Sequence, residues 1–348
     1  MNTVVMHRDI LIWGAGAIGG TVGAYLCRAG LDVTFVDIDA QHVAAIRDRT
    51  KGLSISGPID NFTVHADSFL PEELRGQWSR IFLCVKAHHT QQACEELLPY
   101  LAPDGFVVSL QNGLCERTIA EIAGRERTIG AFINFGADWV EAGAIMYGNR
   151  AAVVVGELKG EDTMRLRQLL ADLKIFEPLA EATTDIWAFL WGKLAYGSLL
   201  FAQALGQDGI ADCLERPEWL PLWRKMAAEV LAVAEAEGVA PSGFNGFMPD
   251  AFAPAKGTME ASRKSVEKMV AFNRPNAKTH SGIWRDLALR KRKTEVDAFI
   301  GQVMAIGKSH QIQCPVLENL VEMIHEIENG RRIQSNANLT ELWRKSAN

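Results

Sequence analysis

The stretch "DILIWGAGAIGG", residues 9–20, decides the fold of this chain. It begins as a short apolar run typical of a buried strand, and it ends with Gly14, Gly16 and Gly19 in a GxGxxG pattern that opens a helix. Such a turn allows a diphosphate to approach the backbone at the positive end of the helix. A tight turn without a ligand is the alternative. The predicted dinucleotide contacts are Gly14, Ala15, Gly16, Ala17, Ile18 and Gly19.

Strand-like and helix-like segments alternate through the first half of the chain. This alternation predicts parallel βαβ units in a Rossmann-type, doubly wound α/β sheet. The predicted strands are 9–13, 32–36, 80–85, 105–110, 144–148 and 151–158, with a last strand within 175–182. The predicted helices are 17–30, 40–49, 90–102, 116–124 and 162–173.

The pattern becomes mostly helical after about residue 182. We therefore predict a dinucleotide-binding Rossmann domain over 1–182 and a helical substrate and catalytic domain over 183–348. The Pro- and Gly-rich segment 240–257 is typical of a loop. The predicted helices of this half are 183–205, 217–238, 294–310, 315–330 and a short one at 340–346.

Composition excludes several classes of function. The net charge of −6 offers no basic field for nucleic acid, and no apolar stretch is long enough to span a membrane. The amino-terminal residues lack a secretory signal pattern. Six scattered cysteines without metal-ligand spacing indicate reduced core residues and no metal site. We expect a cytoplasmic protein that binds neither nucleic acid nor membranes.

Asp37 ends the second predicted strand, where a Rossmann domain contacts the adenosine ribose. A carboxylate there accepts hydrogen bonds from ribose hydroxyls and repels a 2′-phosphate, and no Arg or Lys follows before Arg47. The cofactor is therefore predicted to be NAD or NADP, with NAD favoured. The alternative role for Asp37 is a turn or helix cap, for which Asp39 competes.

Lys193 lies in an otherwise apolar helical run, "FLWGKLAYGSLLF", residues 189–201. Either its stem covers apolar surface while the ammonium reaches water, or it is a catalytic ammonium in a cleft. Gly192 and Gly197 are expected to leave room for a ligand beside it.

The chain resembles the ketopantoate reductase (2-dehydropantoate 2-reductase) family over most of its length. The motifs that carry this resemblance are "GAGAIGG", "CVKAHHT" (84–90), "QNG" (111–113), "WGKL" (191–194) and "KTEVDAFIG" (293–301). The resemblance implies a Rossmann domain followed by a helical domain, with the active site between them.

The resemblance also implies roles for five residues. Lys86 would lie beside the cofactor, and Asn112 would contact nicotinamide or substrate. Lys193 matches the catalytic lysine, and Glu295 matches a carboxylate that faces both lysine and cofactor. Ser281 corresponds approximately to the substrate-binding serine.

Structural alternatives exist for three of these residues. Asn112 precedes a glycine and could be a turn residue, and Lys86 could be a solvated loop residue. Glu295 could be an ordinary first-turn acid of a helix capped by Thr294 with Asp297.

Two departures from the family pattern concern the substrate. The family carries asparagines one and two helical turns after the lysine, and this chain has Gly197 and Phe201 there. Gln203, Gln207 or Asp208 are the candidates to compensate. A substrate other than ketopantoate is therefore allowed.

The predicted function is an NAD(P)H-dependent reductase of a small 2-oxo acid, with Lys193 as the proton donor after hydride transfer. The alternatives are another β-hydroxyacid or opine-type dehydrogenase, and a dinucleotide sensor without catalysis. The resemblance implies pantothenate biosynthesis as the pathway, and a homodimer is left open as the assembly.

Overall fold

The computed structural model describes residues 8–347. The chain divides into two compact units, of which the first ends at Ile186 and the second begins at Trp187. The division thus falls at residue 186 rather than 182, at the first residue of a long apolar helix. Between residues 8 and 347, no helix has both the length and the apolar character needed to cross a membrane.

Among residues 8–186, the first unit contains twelve strands and five α-helices. The strands are β1 (Arg8–Trp13), β2 (Val33–Val36), β3 (Leu53–Ser56), β4 (Phe62–Val64), β5 (Asp67–Phe69), β6 (Trp78–Leu83), β7 (Leu101–Ser109), β8 (Thr128–Ile133), β9 (Gly136–Glu141), β10 (Ala144–Asn149), β11 (Val153–Glu157) and β12 (Glu181–Ala182). The helices are α1 (Ala17–Arg28), α2 (Ala40–Arg47), α3 (Thr90–Leu97), α4 (Cys115–Ala123) and α5 (Met164–Phe176).

Eight of these strands form the main sheet, in the order β12-β11-β8-β7-β6-β1-β2-β5. The six strands from β5 to β8 are all parallel, and their order is the 3-2-1-4-5-6 order of a Rossmann domain. Strand β11 runs antiparallel to β8. The predicted fold class is confirmed.

A second sheet of four strands, in the order β4-β3-β10-β9, was not predicted. Its strands β3 and β4 are only four and three residues long, too short to show a clear alternation. Strand β10 corresponds to the predicted strand 144–148, and it pairs with β3 and β9 rather than with a strand of the main sheet.

Helix α1 packs closely because glycines face its neighbours. A Cβ at Gly19 would lie 2.1 Å from the carbonyl oxygen of Gly14, and one at Gly20 would lie 2.3 Å from the Ile145 side chain. Aromatic rings fill the surrounding core: Tyr25 contacts Tyr147 and Phe176 edge-to-face, at centroid distances of 5.9 and 5.3 Å. Gly19 of the nucleotide motif and the adjacent Gly20 therefore permit the packing of the two sheets against α1.

The prediction of a strand within 175–182 was largely wrong. Helix α5 continues to Phe176, because Leu169, Leu173 and Phe176 extend one buried helical face. Only Glu181–Ala182 form a strand.

The second unit is helical, as predicted. Its helices are α6 (Ile186–Gln203), α7 (Ile210–Glu215), α8 (Leu220–Ala236), α9 (Met259–Asn273), α10 (Gly282–Ala288), α11 (Gln302–Ser309), α12 (Pro315–Glu328) and α13 (Ala337–Ala347). A π-helix, Asp297–Gly301, precedes α11 directly. Helices α7, α9 and α10 were not predicted.

Candidate active site

The carboxyl ends of four parallel strands form one edge of the main sheet. Trp13 at the end of β1 is in register with Val36 of β2 and Leu83 of β6, and Leu83 is in register with Ser109 of β7. Ligands of doubly wound sheets bind outside this edge, where the strand order reverses. The first-unit residues predicted to bind cofactor all follow these four strand ends: Gly14 to Gly19, Asp37, Lys86 and Asn112.

The glycine turn has the shape that a dinucleotide diphosphate requires. Gly14 adopts φ +97°, which favours glycine, and its N–H donates to the Val36 carbonyl at 2.8 Å. No atom lies within 4 Å of where a Cβ on Gly16 would stand. The turn therefore leaves open space beside the first N–H groups of α1, which fits an anion.

Asp37 holds the glycine turn as well as facing the sheet edge. Its Oδ2 accepts the Ala15 N–H at 2.8 Å, and its Oδ1 accepts the Asp39 N–H at 3.0 Å. Asp39 caps α2 by accepting the N–H groups of Gln41 and His42, both at 2.9 Å. Asp39 rather than Asp37 is thus the helix cap, and lone pairs on the Asp37 carboxylate are left for further donors.

Lys86 and Asn112 are both half-buried and follow neighbouring strands. The Asn112 carbonyl accepts a hydrogen bond from the Cys115 thiol, at 3.1 Å. Gln111, which we did not predict, connects the two loops: its Nε2 donates to the Val85 carbonyl at 2.9 Å and to Thr90 Oγ1 at 2.8 Å. Its place in the "QNG" motif was the signal available in the sequence.

In the second unit, Lys193 is the one charged residue of α6, and its side chain is half-buried. Residues Leu194 to Leu199 that follow it are all buried. Among them, Tyr196 packs edge-to-face on Phe244 at 5.5 Å, and burial raises the pKa of Tyr196 to about 12. The phenol therefore stays neutral at physiological pH, and Lys193 is the one side chain of α6 that can carry a positive charge.

Glu295 is only 8% exposed and lies two residues before the π-helix. The preceding Thr294 donates its N–H and its hydroxyl to Glu328 Oε1, at 2.7 and 2.8 Å, and its Oγ1 accepts the Val296 N–H. Asp297 instead contacts His325, at 3.1 Å. These bonds hold the segment that carries Glu295, and π-helical turns are frequent at functional sites.

Ser281 caps α10, where its hydroxyl accepts the Trp284 N–H at 3.1 Å. The side chain is 8% exposed. The hydroxyl of Ser281 thus caps a helix, and its role in substrate binding stays a prediction.

No cluster of three or more His, Cys, Asp or Glu side chains suited to a metal ion occurs in the part of the chain that the structure describes. All six cysteines are free thiols. Burial raises the pKa of Cys84, beside the glycine turn, far above its usual range, which disfavours the reactive thiolate.

Comparison with known proteins identifies the family. Residues 10–160 match the family model "Ketopantoate reductase PanE/ApbA", and residues 185–328 match its C-terminal counterpart. The chain belongs to the ketopantoate reductase family. This membership confirms the predicted resemblance and the predicted class of NAD(P)-dependent oxidoreductase acting on CH–OH groups.

Three relatives show the extent of the likeness. The 2-dehydropantoate 2-reductase of Archaeoglobus fulgidus is 28% identical over 93% of this chain and 99% of its own. The crystal structure of 2-dehydropantoate 2-reductase from Geobacter metallireducens superimposes with a TM-score of 0.76 at 25% identity, over 91% of this chain and 99% of that one. D-mandelate dehydrogenase in complex with NADH and anilino(oxo)acetate shares the fold, with a TM-score of 0.80 at 20% identity and coverage of 93% and 99%.

At the two departures from the ketopantoate reductase pattern, the structure contains aromatic rings. A Cβ on Gly197 would lie 2.3 Å from Cζ of Phe299, and the rings of Phe201 and Phe299 are 5.3 Å apart. Phe201 and Phe299 are 1% and 5% exposed. The π-helix thus supplies a phenyl ring that occupies the space beside Gly197.

The expectation that Gly192 and Gly197 leave room for a ligand is therefore wrong. A Cβ on Gly192 would lie 2.2 Å from the Ser242 carbonyl oxygen, because the loop over 240–257, which contains Ser242, packs against α6 at this point. Phe299 fills the corresponding space at Gly197. Both glycines serve close packing of this ketopantoate reductase family member.

Proposed function

We propose that this protein reduces the carbonyl group of a 2-oxo acid at the expense of NAD(P)H, with Lys193 as proton donor. The observation that carries the proposal is the convergence of Gly16, Asp37, Lys86 and Asn112 on the carboxyl edge of a Rossmann sheet, in a member of the ketopantoate reductase family. A bound reduced nicotinamide would supply the hydride.

The half-buried Lys193 would hold the proton at Nζ and give it to the oxygen that becomes the hydroxyl group. Its ammonium also stabilises negative charge on that oxygen, more strongly beside apolar side chains than in water. Burial alone favours the neutral amine, and a carboxylate opposes this effect. Glu295 suits that role. Its carbonyl accepts the N–H of Phe299, and Phe299 packs against Gly197, one helical turn after Lys193 on α6.

For the substrate we infer a 2-oxo acid with an apolar side chain. Amides at positions 197 and 201 would hydrogen-bond a hydroxyl-bearing acid such as ketopantoate, whereas a glycine and two phenyl rings offer no donor or acceptor. Without those amides the hydroxyl group of such an acid would lack partners, so a 2-oxo acid with an aliphatic or aromatic side chain is favoured. Pantothenate biosynthesis is then the second candidate role.

For the cofactor we favour NAD over NADP. The Asp37 carboxylate lies beside the glycine turn and would repel a 2′-phosphate. Arg47, the first cation after Asp37 in the sequence, is directed elsewhere: its guanidinium donates to the Ser68 carbonyl and to Glu73, at 2.8 and 2.6 Å. Ile38, 80% exposed beside Asp37, offers an apolar surface on which an adenine ring would pack.

The test combines binding and turnover. We expect NADH to bind at least tenfold more tightly than NADPH, and Asp37→Ser to reduce this ratio. Oxidation of NADH is then followed with ketopantoate, phenylglyoxylate and branched aliphatic 2-oxo acids. Tight NADH binding without turnover of any of them would favour the sensor alternative.

The role of Lys193 is tested with Lys193→Ala and, as a control, Lys264→Ala on the surface of α9. Lys264 is 64% exposed and pairs with Glu260. We expect Lys193→Ala to lower kcat by roughly 10²-fold or more with an unchanged Kd for NADH, since general acid catalysis typically contributes this much. Near-normal turnover of Lys193→Ala would refute the assignment.

A further inference from the structure

The imidazole of His42 lies between the glycine turn and the second sheet. The side chain is 1% exposed, and its Nε2 is 2.8 Å from the Ala15 carbonyl oxygen. Its Nδ1 is 2.9 Å from the Gly143 backbone N and 3.3 Å from Trp139 Nε1. Both of these partners are donors only, so Nδ1 must accept. The ring is therefore the neutral tautomer with its proton on Nε2, and it donates to Ala15.

This bond fixes the direction of one peptide group in the glycine turn. In a trans peptide the C=O and the N–H point in opposite directions. Because His42 holds the Ala15 carbonyl on the inner side, the N–H of Gly16 in the same peptide points away from His42. The N–H of Ala15 is held separately by Asp37, at 2.8 Å. Gly16 itself borders open space.

We propose that His42 is a positioning residue for the cofactor: it aims the Gly16 N–H at the diphosphate and so sets dinucleotide affinity. The inference rests on the dinucleotide site of the proposed function, and it adds a residue outside the GxGxxG motif. The second sheet then contributes to cofactor binding, because Gly143 in its β9–β10 turn donates to Nδ1 and orients the imidazole.

The main chain of α2 keeps the imidazole in place. The His42 N–H donates to Asp39, the helix cap, at 2.9 Å. The ring of Trp139 packs edge-to-face on the imidazole at a centroid distance of 6.1 Å. Because His42 is already held in place on α2, its side chain loses little conformational entropy when it donates to the glycine turn. The turn is therefore preorganised for binding.

Three substitutions separate the two contacts of the ring. In His42→Gln the amide Nε2 can still donate to Ala15, whereas in His42→Asn the shorter side chain can still accept from Gly143 but not reach Ala15. His42→Leu removes both contacts. Val43→Ala is the matched control, because Val43 is the next residue of α2, is 3% exposed and points into the core.

The readouts are the Kd for NADH from fluorescence titration, competition by ADP and by adenosine, and Tm without ligand. We expect His42→Gln to bind NADH within about threefold of the natural protein, and His42→Asn and His42→Leu to bind about tenfold more weakly, as for the loss of one well-aligned hydrogen bond. ADP, which carries the diphosphate, should show the same loss, and adenosine should not. Val43→Ala should lower Tm and leave the Kd unchanged.

Equal NADH affinity of the Asn and Gln variants would overturn the inference, as would a loss in Val43→Ala as large as in His42→Asn. The Asn and Gln comparison decides the matter even if His42→Leu does not fold. Failure of the natural protein to bind either NADH or NADPH would instead refute the proposed function.

Discussion

Substitution of Arg80 by methionine is predicted to destabilise the first unit while leaving its nucleotide affinity intact. Arg80 lies in β6, three residues before the strand end that borders the cofactor edge. Its guanidinium pairs with Asp172 of α5 and with Asp9 of β1, whose Oδ1 is 3.0 Å from Nε. The side chains of Arg80 and Asp172 are 9% and 6% exposed.

The expected cost follows from what the substitution leaves behind. Removing one partner of a buried ion pair typically costs about 3–5 kcal/mol, because the other charge stays buried without compensation. Gln168 keeps one contact with Asp172, from Nε2 to Oδ1 at 3.1 Å, which places the expected loss near the lower end, about 3 kcal/mol. For a unit of this size the Tm should fall by about 6–12 °C.

The assay is urea and thermal unfolding at pH 7, followed by far-ultraviolet circular dichroism, with the Kd for NADH measured at low temperature. The control is Arg167→Met on α5, the helix that carries Asp172; it removes a pair with Asp162 in which the two side chains are 62% and 61% exposed. The free energy of unfolding of Arg167→Met should fall by less than about 1 kcal/mol. Because an apolar pair can replace a buried ion pair, Arg80→Met with Asp172→Leu should recover much of the stability. Equal losses for Arg80→Met and Arg167→Met would refute the reasoning.

Two further predictions follow from the glycine turn and from a helix terminus. Gly16→Ala should leave Tm unchanged, because its Cβ meets no atom within 4 Å, but it should weaken NADH binding. Gly19→Ala should impair folding, because its Cβ would lie 2.1 Å from the Gly14 carbonyl oxygen. A lower Tm for Gly16→Ala than for Gly19→Ala would contradict this packing. Glu229 accepts the N–H groups of Val316 and Leu317 at the start of α12, and burial raises its pKa from 4.5 to about 7. The folded state therefore binds this proton more tightly than the unfolded state, so the free energy of unfolding falls as the pH rises from about 4.5 to about 7, by up to about 3 kcal/mol. Glu229→Gln should flatten this part of the stability profile, and an unchanged profile by calorimetry would contradict the assignment.

Several elements were predictable because their determinants are local. The strand, glycine turn and helix of residues 9–28 follow from an apolar run, three glycines and a helical pattern within one short stretch. The long helix over 186–203 follows from its continuous apolar run. The candidate residue Asp37 follows from its place after a predicted strand, and Lys193 from its place in an apolar helical run; the family motifs supplied Asn112 and Glu295.

Other features were not predictable, because they depend on residues far apart in the sequence. Strands β3 and β4 are too short to show a period, and they form because β10 pairs with β3 and β3 pairs with β4. The partners of His42 come from the glycine turn and from the β9–β10 turn. Nothing near Gly197 in the sequence indicates that Phe299 fills the space beside it.

The sequence by itself determined the fold class, the family and the residue types at the cofactor edge, since these depend on periodicity and on motifs whose spacing is short. Only the tertiary structure decided which side chains meet: the phenyl ring against Gly197, the imidazole under the glycine turn and the buried Arg80–Asp172 pair. The physical reason is that the hydrophobic pattern of an element indicates which of its faces is buried. Which other element packs against that face depends on the close packing of the whole core.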